Sequence, residues 1–149
     1  MTFEILKHTY RWAYPLVKRP VKPQGIVIHN AAATSCTADD IHRWHLANGW
    51  SGIAYHAFVT KEGRIIRGRP VWANGGHALG ASYWLGICFE GNYDRETMPA
   101  KQLAAGRWLV KRWRSKFELP KSKVKKHRDM PGNATSCPGR LFPFSALIK

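Results

Sequence analysis

The sequence predicts an α/β fold, a single domain with a central mixed β-sheet flanked by helices. Short β-branched or alternating runs at 26–30, 54–60, 64–68 and 85–91 read as strands. Segments with helical spacing at 37–47 and 99–117 are interleaved with them. A length of 149 residues with 44% hydrophobic content suffices for one core, and no repeat, low-complexity stretch or change of composition marks a second domain.

The domain is read as 1–149, with 1–24 an extended arm packed on it. That arm carries Trp12, Tyr14, Pro15, Pro20 and Pro23 among five basic residues, which leaves little room for regular structure. Gly25-Ile26-Val27-Ile28-His29-Asn30 is a buried strand in which His29 shares a face with Val27 and, near the strand end, can emerge at the sheet edge. Thr37 is a helix N-cap with Asp40 at the capping-box position and Asp39 complementing the dipole, and Asn48-Gly49 ends that helix. Lys61-Glu62-Gly63 turns the chain so that 64–68 returns as the hairpin partner of 54–60. Residues 72–84, with Gly75-Gly76-His77 and Gly80, form a loop of functional character, and 85–91 is the central strand.

The 99–117 helix begins at Pro99, and Leu103, Gly106, Val110, Trp113 and Phe117 form its apolar stripe. Trp44, Trp108 and Trp113, at helical spacing, are read as packing residues. Between 101 and 128 eleven Lys or Arg face a single acid, Glu118. The formal net charge is +15, a field that speeds encounter with polyanions and weakens with salt. Nucleic acid, anionic wall polymers and an anionic membrane surface are all compatible with it, but no nucleic-acid-binding motif is present. No apolar run approaches the length of a membrane span, and the N-terminus lacks the layout of a secretory signal. Three cysteines, Cys36, Cys88 and Cys137, make no disulfide framework.

The chemistry concentrates in 127–139, His-Arg-Asp-Met-Pro-Gly-Asn-Ala-Thr-Ser-Cys-Pro-Gly, together with His29. Two imidazoles and a thiolate fill three corners of a zinc tetrahedron and leave the fourth for water. A buried cysteine with two unrelated histidines is the bland alternative, and a cysteine nucleophile is a further one, disfavoured by Pro138 in a metal-type loop. His8, His42 and His45 are read as surface or packing residues. Tyr55 and His56 are strand neighbours and point to opposite faces, so only one looks into a site.

Five segments occur in a telling order: Ile-Val-Ile-His-Asn at 26–30, Gly-Ile-Ala-Tyr-His at 52–56, and Gly-Gly-His at 75–77 come first. Leu-Gly-Ile-Cys-Phe-Glu-Gly-Asn at 85–92 and His-Arg-Asp…Thr-Ser-Cys-Pro-Gly at 127–139 complete it. From about residue 10 to its end the chain resembles the zinc-dependent N-acetylmuramoyl-L-alanine amidases, the family of phage lysozyme-type amidases and peptidoglycan recognition proteins. The resemblance implies one zinc ion held by His29, His127 and Cys137. It also implies two catalytic groups. Tyr55 would aim its hydroxyl at the scissile carbonyl, and Thr135 stands where relatives carry lysine or threonine, without lysine's charge. His77 would line the substrate groove, with Trp72 against a sugar face. Cys88 stands where some relatives have a carboxylate, and Glu90, on the same strand face, is not assigned as a base.

The implied reaction is cleavage of the amide between N-acetylmuramic acid and the L-alanine of the stem peptide, as in a phage or prophage endolysin or a bacterial autolysin. The alternative is a non-catalytic peptidoglycan-binding module of the same fold, in which the cysteine ligand is typically lost. The implied partner is peptidoglycan, glycan plus stem peptide, with anionic wall polymers met by the basic surface, no specific nucleic acid, and a monomeric state. The expected place of action is the bacterial cell wall. The chain would be cytoplasmic until released, unless a leader is missing from it.

Overall fold

In a computed structural model, which describes residues 2–149, six strands form one mixed sheet. The strands are β1 (Ile5–Leu6), β2 (Ile26–Asn30), β3 (Ala57–Val59), β4 (Ile65–Arg67), β5 (Leu85–Phe89) and β6 (Val124–Lys126), in spatial order β1-β4-β3-β5-β2-β6. Only the β3–β4 hairpin is antiparallel; β2 pairs in parallel with β5 and β6, and β5 with β3. The helices are α1 (Ala38–Ala47), α2 (Ala100–Phe117) and α3 (Phe144–Leu147).

The period-two alternation of the strands separates two different faces. Ile26 and Ile28 of β2, Ala57 and Val59 of β3, and Leu85, Ile87 and Phe89 of β5 pack under Leu109, Val110 and Trp113 of α2 and Leu147 of α3. Phe58 and Cys88 face the other way, against Ile41 of α1, Ile53 and Cys36, with Tyr10 and Trp12 of the arm closing over them. Cover on both faces explains why β2 and β5 are buried at every position. Helix α2 approaches the sheet closely because Gly106 has no side chain; a Cβ there would lie 2.5 Å from Phe89 Cε2.

The expected elements are present, with informative differences. Thr37 caps α1 in a reciprocal capping box with Asp40. Trp44, expected to pack, is 45% exposed, because the inward positions are Ala38, Ile41 and His42, with His45 next in phase, and Trp44 sits beside that stripe. On α2 the buried stripe includes Gln102, whose amide donates to the Val59 and Glu90 carbonyls, so its burial leaves no polar atom stranded. The helix ends at Glu118 in the left-handed region, a position where glycine is preferred. The arm, expected to lack regular structure, adds β1 beside β4 and bridges Lys18 to Ala73. Among the described residues no helix is long and apolar enough to cross a membrane.

Candidate metal centre

Three elements bring the donors together. His29 lies on β2 in register with Cys88 of β5, on the sheet face away from α2. Strand β6 runs parallel to β2 and leads directly into the 3-10 turn His127–Asp129, which carries His127 to the same sheet edge. The loop beyond returns Cys137, held by a hydrogen bond from the Arg128 amide to the Cys137 carbonyl at 2.9 Å. One ligand atom from each of His29, His127 and Cys137 lies within 4.8 Å of the other two. Cys137 Sγ is 3.8 Å from His29 Nδ1. Tetrahedral zinc with usual bond lengths would hold nitrogen and sulfur about 3.6 Å apart, so the donor set fits such an ion with little adjustment.

The hydrogen bonds fix which nitrogen of His29 is free. His77 Nε2 lies 2.9 Å from the Trp84 carbonyl, which can only accept, so His77 carries its proton there. Its Nδ1 then accepts from His29 Nε2 at 2.9 Å, which leaves the His29 Nδ1 lone pair facing Cys137. Orienting partners of this kind set the tautomer of a metal-binding histidine. The His77 ring fits only because residues 75 and 86 are glycine; a Cβ on Gly86 would lie 2.6 Å from His77 Cγ, and one on Gly75 2.4 Å from its Cδ2.

The site is built to be neutral without metal. Burial, then the neighbouring His77, His127 and His45, drives the His29 pKa well below the ordinary imidazole value. Burial brings His77 down to about 4 and also lowers His127. Burial pushes the Cys137 thiol up to about 12, although the Asn30 amide, 3.3 Å from the sulfur, pulls the other way.

A groove of about 620 Å³ opens beside these donors, lined among others by Tyr14, Trp50, Arg69, His77, Leu79 and His127. Among the described residues that line it, Arg69 is the only one with a formal charge and none is an acid. The Tyr55 ring lies tilted against His29, 4.9 Å between centroids, and burial followed by the Cys88 and Cys137 sulfurs raises its pKa well above the ordinary phenol. His56, its neighbour, turns into the interior, bonded to the Ala73 carbonyl and the Gly86 amide. Of the two, Tyr55 is the one whose ring lies against His29, although it is not among the groove-lining residues.

Other expected residues fall less centrally. His77 lines the groove, yet both its ring nitrogens are already bonded, so no nitrogen is left for a ligand. Thr135 is exposed, and its hydroxyl oxygen accepts from the Cys137 amide at 3.1 Å. Trp72 is 49% exposed but is not among the groove-lining residues; Trp50, 42% exposed, takes that place. The Glu90 carboxylate is occupied by the Cys36 and Lys61 amides, and Cys88 is held as a neutral thiol by burial.

Two residues that the sequence left aside belong to this region. His45, expected to be bland, has its ring 5.4 Å from Tyr55 and 4.7 Å from Trp50. Its Nδ1 accepts from the Ala54 amide, so Nε2 carries the proton, and burial lowers its pKa to about 4. Its place one helical turn past Ile41, in phase with the buried positions of α1, was the available signal. Asn133 is the other, bonded to His127.

A mixed-sheet α/β domain with a two-imidazole, one-thiolate site at the mouth of a groove has the make-up of a metal-dependent hydrolase. Residues 19–140 match the N-acetylmuramoyl-L-alanine amidase family. The fold is similar to N-acetylmuramoyl-L-alanine amidase LysC from Clostridium intestinale, with a TM-score of 0.91 and 35% identity over 98% of this chain and 95% of that one. An endolysin of Enterobacteria phage T3 is 30% identical over 125 residues, 77% of this chain and 80% of the phage protein. Drosophila PGRP-LB is similar with a TM-score of 0.74 and 28% identity, over 95% of this chain and 91% of that one. The chain belongs to the N-acetylmuramoyl-L-alanine amidase family.

Proposed function

We propose that this chain is a zinc-dependent peptidoglycan hydrolase that cleaves the amide joining the lactyl group of N-acetylmuramic acid to the L-alanine of the stem peptide. The observation that carries this reading is the convergence of His29, His127 and Cys137, with the Tyr55 ring against His29 and His127 at the wall of a groove. Zinc bound by those three residues would polarise the carbonyl and lower the pKa of water to about 7, so that attack needs no strong side-chain base.

The rest is the work of the chain's own groups. His77 holds His29 with its Nδ1 lone pair toward Cys137, where it would be free to bind the ion. The raised pKa of Tyr55 keeps its hydroxyl protonated, and it donates to the carbonyl oxygen as negative charge develops there, a kind of contact worth about 2.7–4 kcal/mol. The Thr135 hydroxyl, whose oxygen accepts from the Cys137 amide, keeps its own proton to donate. Thr135 brings no charge, so its share is smaller than that of a lysine. Trp50 offers an aromatic face to a sugar ring, and Arg69, buried with Nε and Nη1 on the Ile53 and Asn74 carbonyls, gives a groove without acids a positive wall toward the carboxylates of a stem peptide. Retention of Cys137 favours the enzyme over a binding module of the same fold.

The basic surface assists at longer range. None of the cations of α2 is in an ion pair; the pairs among the described residues are His8–Asp39, Arg43–Asp40 and Lys61–Glu96. That face attracts anionic wall polymers and brings a monomeric enzyme to its insoluble substrate. The test is digestion of purified peptidoglycan. New alanine N-termini should appear, vanish with a chelator and return with zinc. New reducing sugar ends without free alanine termini would refute the assignment.

A further inference from the structure

Asn133 lies on the turn between His127 and Cys137 and is not one of the three donors. Its carboxamide orientation is set by its surroundings. Oδ1 accepts from the Leu79 amide at 3.0 Å. Nδ2 points at three carbonyls, those of Leu79 at 3.0 Å and of Met130 and Pro131 at 3.2 Å each. With the oxygen so placed, His127 Nε2, 3.0 Å from it, must be the protonated ring nitrogen, because two lone pairs cannot share a hydrogen bond. His127 Nδ1 then carries the free lone pair.

Leu79 belongs to a different part of the chain. It stands on the 75–84 loop that also supplies His77, is 68% exposed, and lines the groove together with Asn133 and His127. Both backbone groups of Leu79 are held by the one carboxamide, and its side chain approaches Gly132 within ordinary contact distance of where a Cβ would be.

We infer that Asn133 is a positioning residue that joins the groove wall to the metal centre: one carboxamide fixes His127 in the tautomer that offers Nδ1 and clamps the Leu79 loop beside it. The wall and the ligand therefore move together. A substrate or substitution that pushes Leu79 outward draws Asn133 with it and loosens His127. Outer partners of metal-bound histidines are worth about 10–100-fold in metal affinity, which sets the expected effect.

The inference rests on the metal-site reading above, and its test separates the two. Metal-free wild type, Asn133→Ala and Asn133→Asp are titrated with zinc against a chromophoric chelator, and hydrogen exchange is followed at the Leu79 amide. Asn133→Ala should bind zinc about 10–100-fold more weakly and expose the Leu79 amide to faster exchange. Asn133→Asp keeps the acceptor for His127 but turns a carboxylate oxygen toward the Leu79, Met130 and Pro131 carbonyls, so zinc affinity should recover above that of Asn133→Ala while the Leu79 amide stays in faster exchange than in the wild type. Wild-type zinc affinity in Asn133→Ala, beside a zinc-binding wild type, overturns this inference alone. Failure of the wild type to take up zinc overturns the metal-site reading.

Discussion

Raising the pH from about 6 to about 8 should tighten zinc binding at least about 100-fold, because each ion must expel the Cys137 proton, and water on the bound ion would add a second as the pH passes about 7. In the metal-free protein burial holds the Cys137 thiol up at about 12, so the sulfur stays protonated across that range. Zinc takes the thiolate, so the proton leaves when the ion enters. Burial favours the neutral, ligand-ready form of the imidazoles. His29 is held neutral well below its ordinary value and His77 falls to about 4, both first through burial, and the His127 pKa is lowered for the same reason. One proton per ion makes the binding constant rise tenfold per pH unit, about 1.4 kcal/mol each. Competition against a chromophoric chelator at several pH values gives the slope, and proton release in weakly buffered solution gives the count. Cys137→Ala should flatten the slope and weaken binding. A flat profile in the wild type would mean the sulfur is already ionised without metal; a slope of two well below about pH 7, where the bound water keeps its proton, would mean an imidazole gives one up as well. Either refutes the reasoning.

Tyr55→Phe should reduce turnover on a soluble muropeptide about 100-fold or more while zinc content is unchanged, since the donor to the developing oxyanion is lost; an unaltered rate removes Tyr55 from the chemistry. Gly106→Ala should destabilise the fold by about 1–3 kcal/mol in denaturant unfolding, despite alanine's better helix propensity, because the added methyl meets Phe89 at 2.5 Å; a gain in stability would contradict the close helix–sheet contact. Added salt should depress lysis of intact walls more than cleavage of a small soluble muropeptide, as a screened long-range field acts on the encounter. Equal salt dependence would remove the basic face from that role.

Much of this site could be read along the chain because its principal residues sit in local patterns. His29 follows a β-branched run, which places it on a strand, on the same face as Val27. His127 and Cys137 share one turn-rich loop, so their proximity required only that the loop close on itself. Tyr55 and His56, expected within a strand over 54–60, precede β3 (Ala57–Val59) instead, so loop backbone rather than strand alternation aims them. What stayed hidden depends on contacts distant in sequence. Nothing in the primary structure shows that His77 spends both nitrogens on Trp84 and His29, because 48 residues separate the two rings. The same holds for Asn133 and Leu79, which are 54 residues apart. Trp72 looked like the sugar-facing aromatic from its place before the His77 loop, yet the path of the arm and the end of α1 put Trp50 in the groove instead. Strand β1 escaped notice for a different reason: two residues are too few for alternation to register.

X-ray absorption at the zinc edge of the reconstituted protein tests the central claim most directly. One sulfur at about 2.3 Å and two imidazole nitrogens at about 2.0 Å, with a lighter atom at the remaining corner, is the predicted shell. A shell of nitrogen and oxygen alone, with no sulfur, would contradict the convergence of His29, His127 and Cys137 on a single ion.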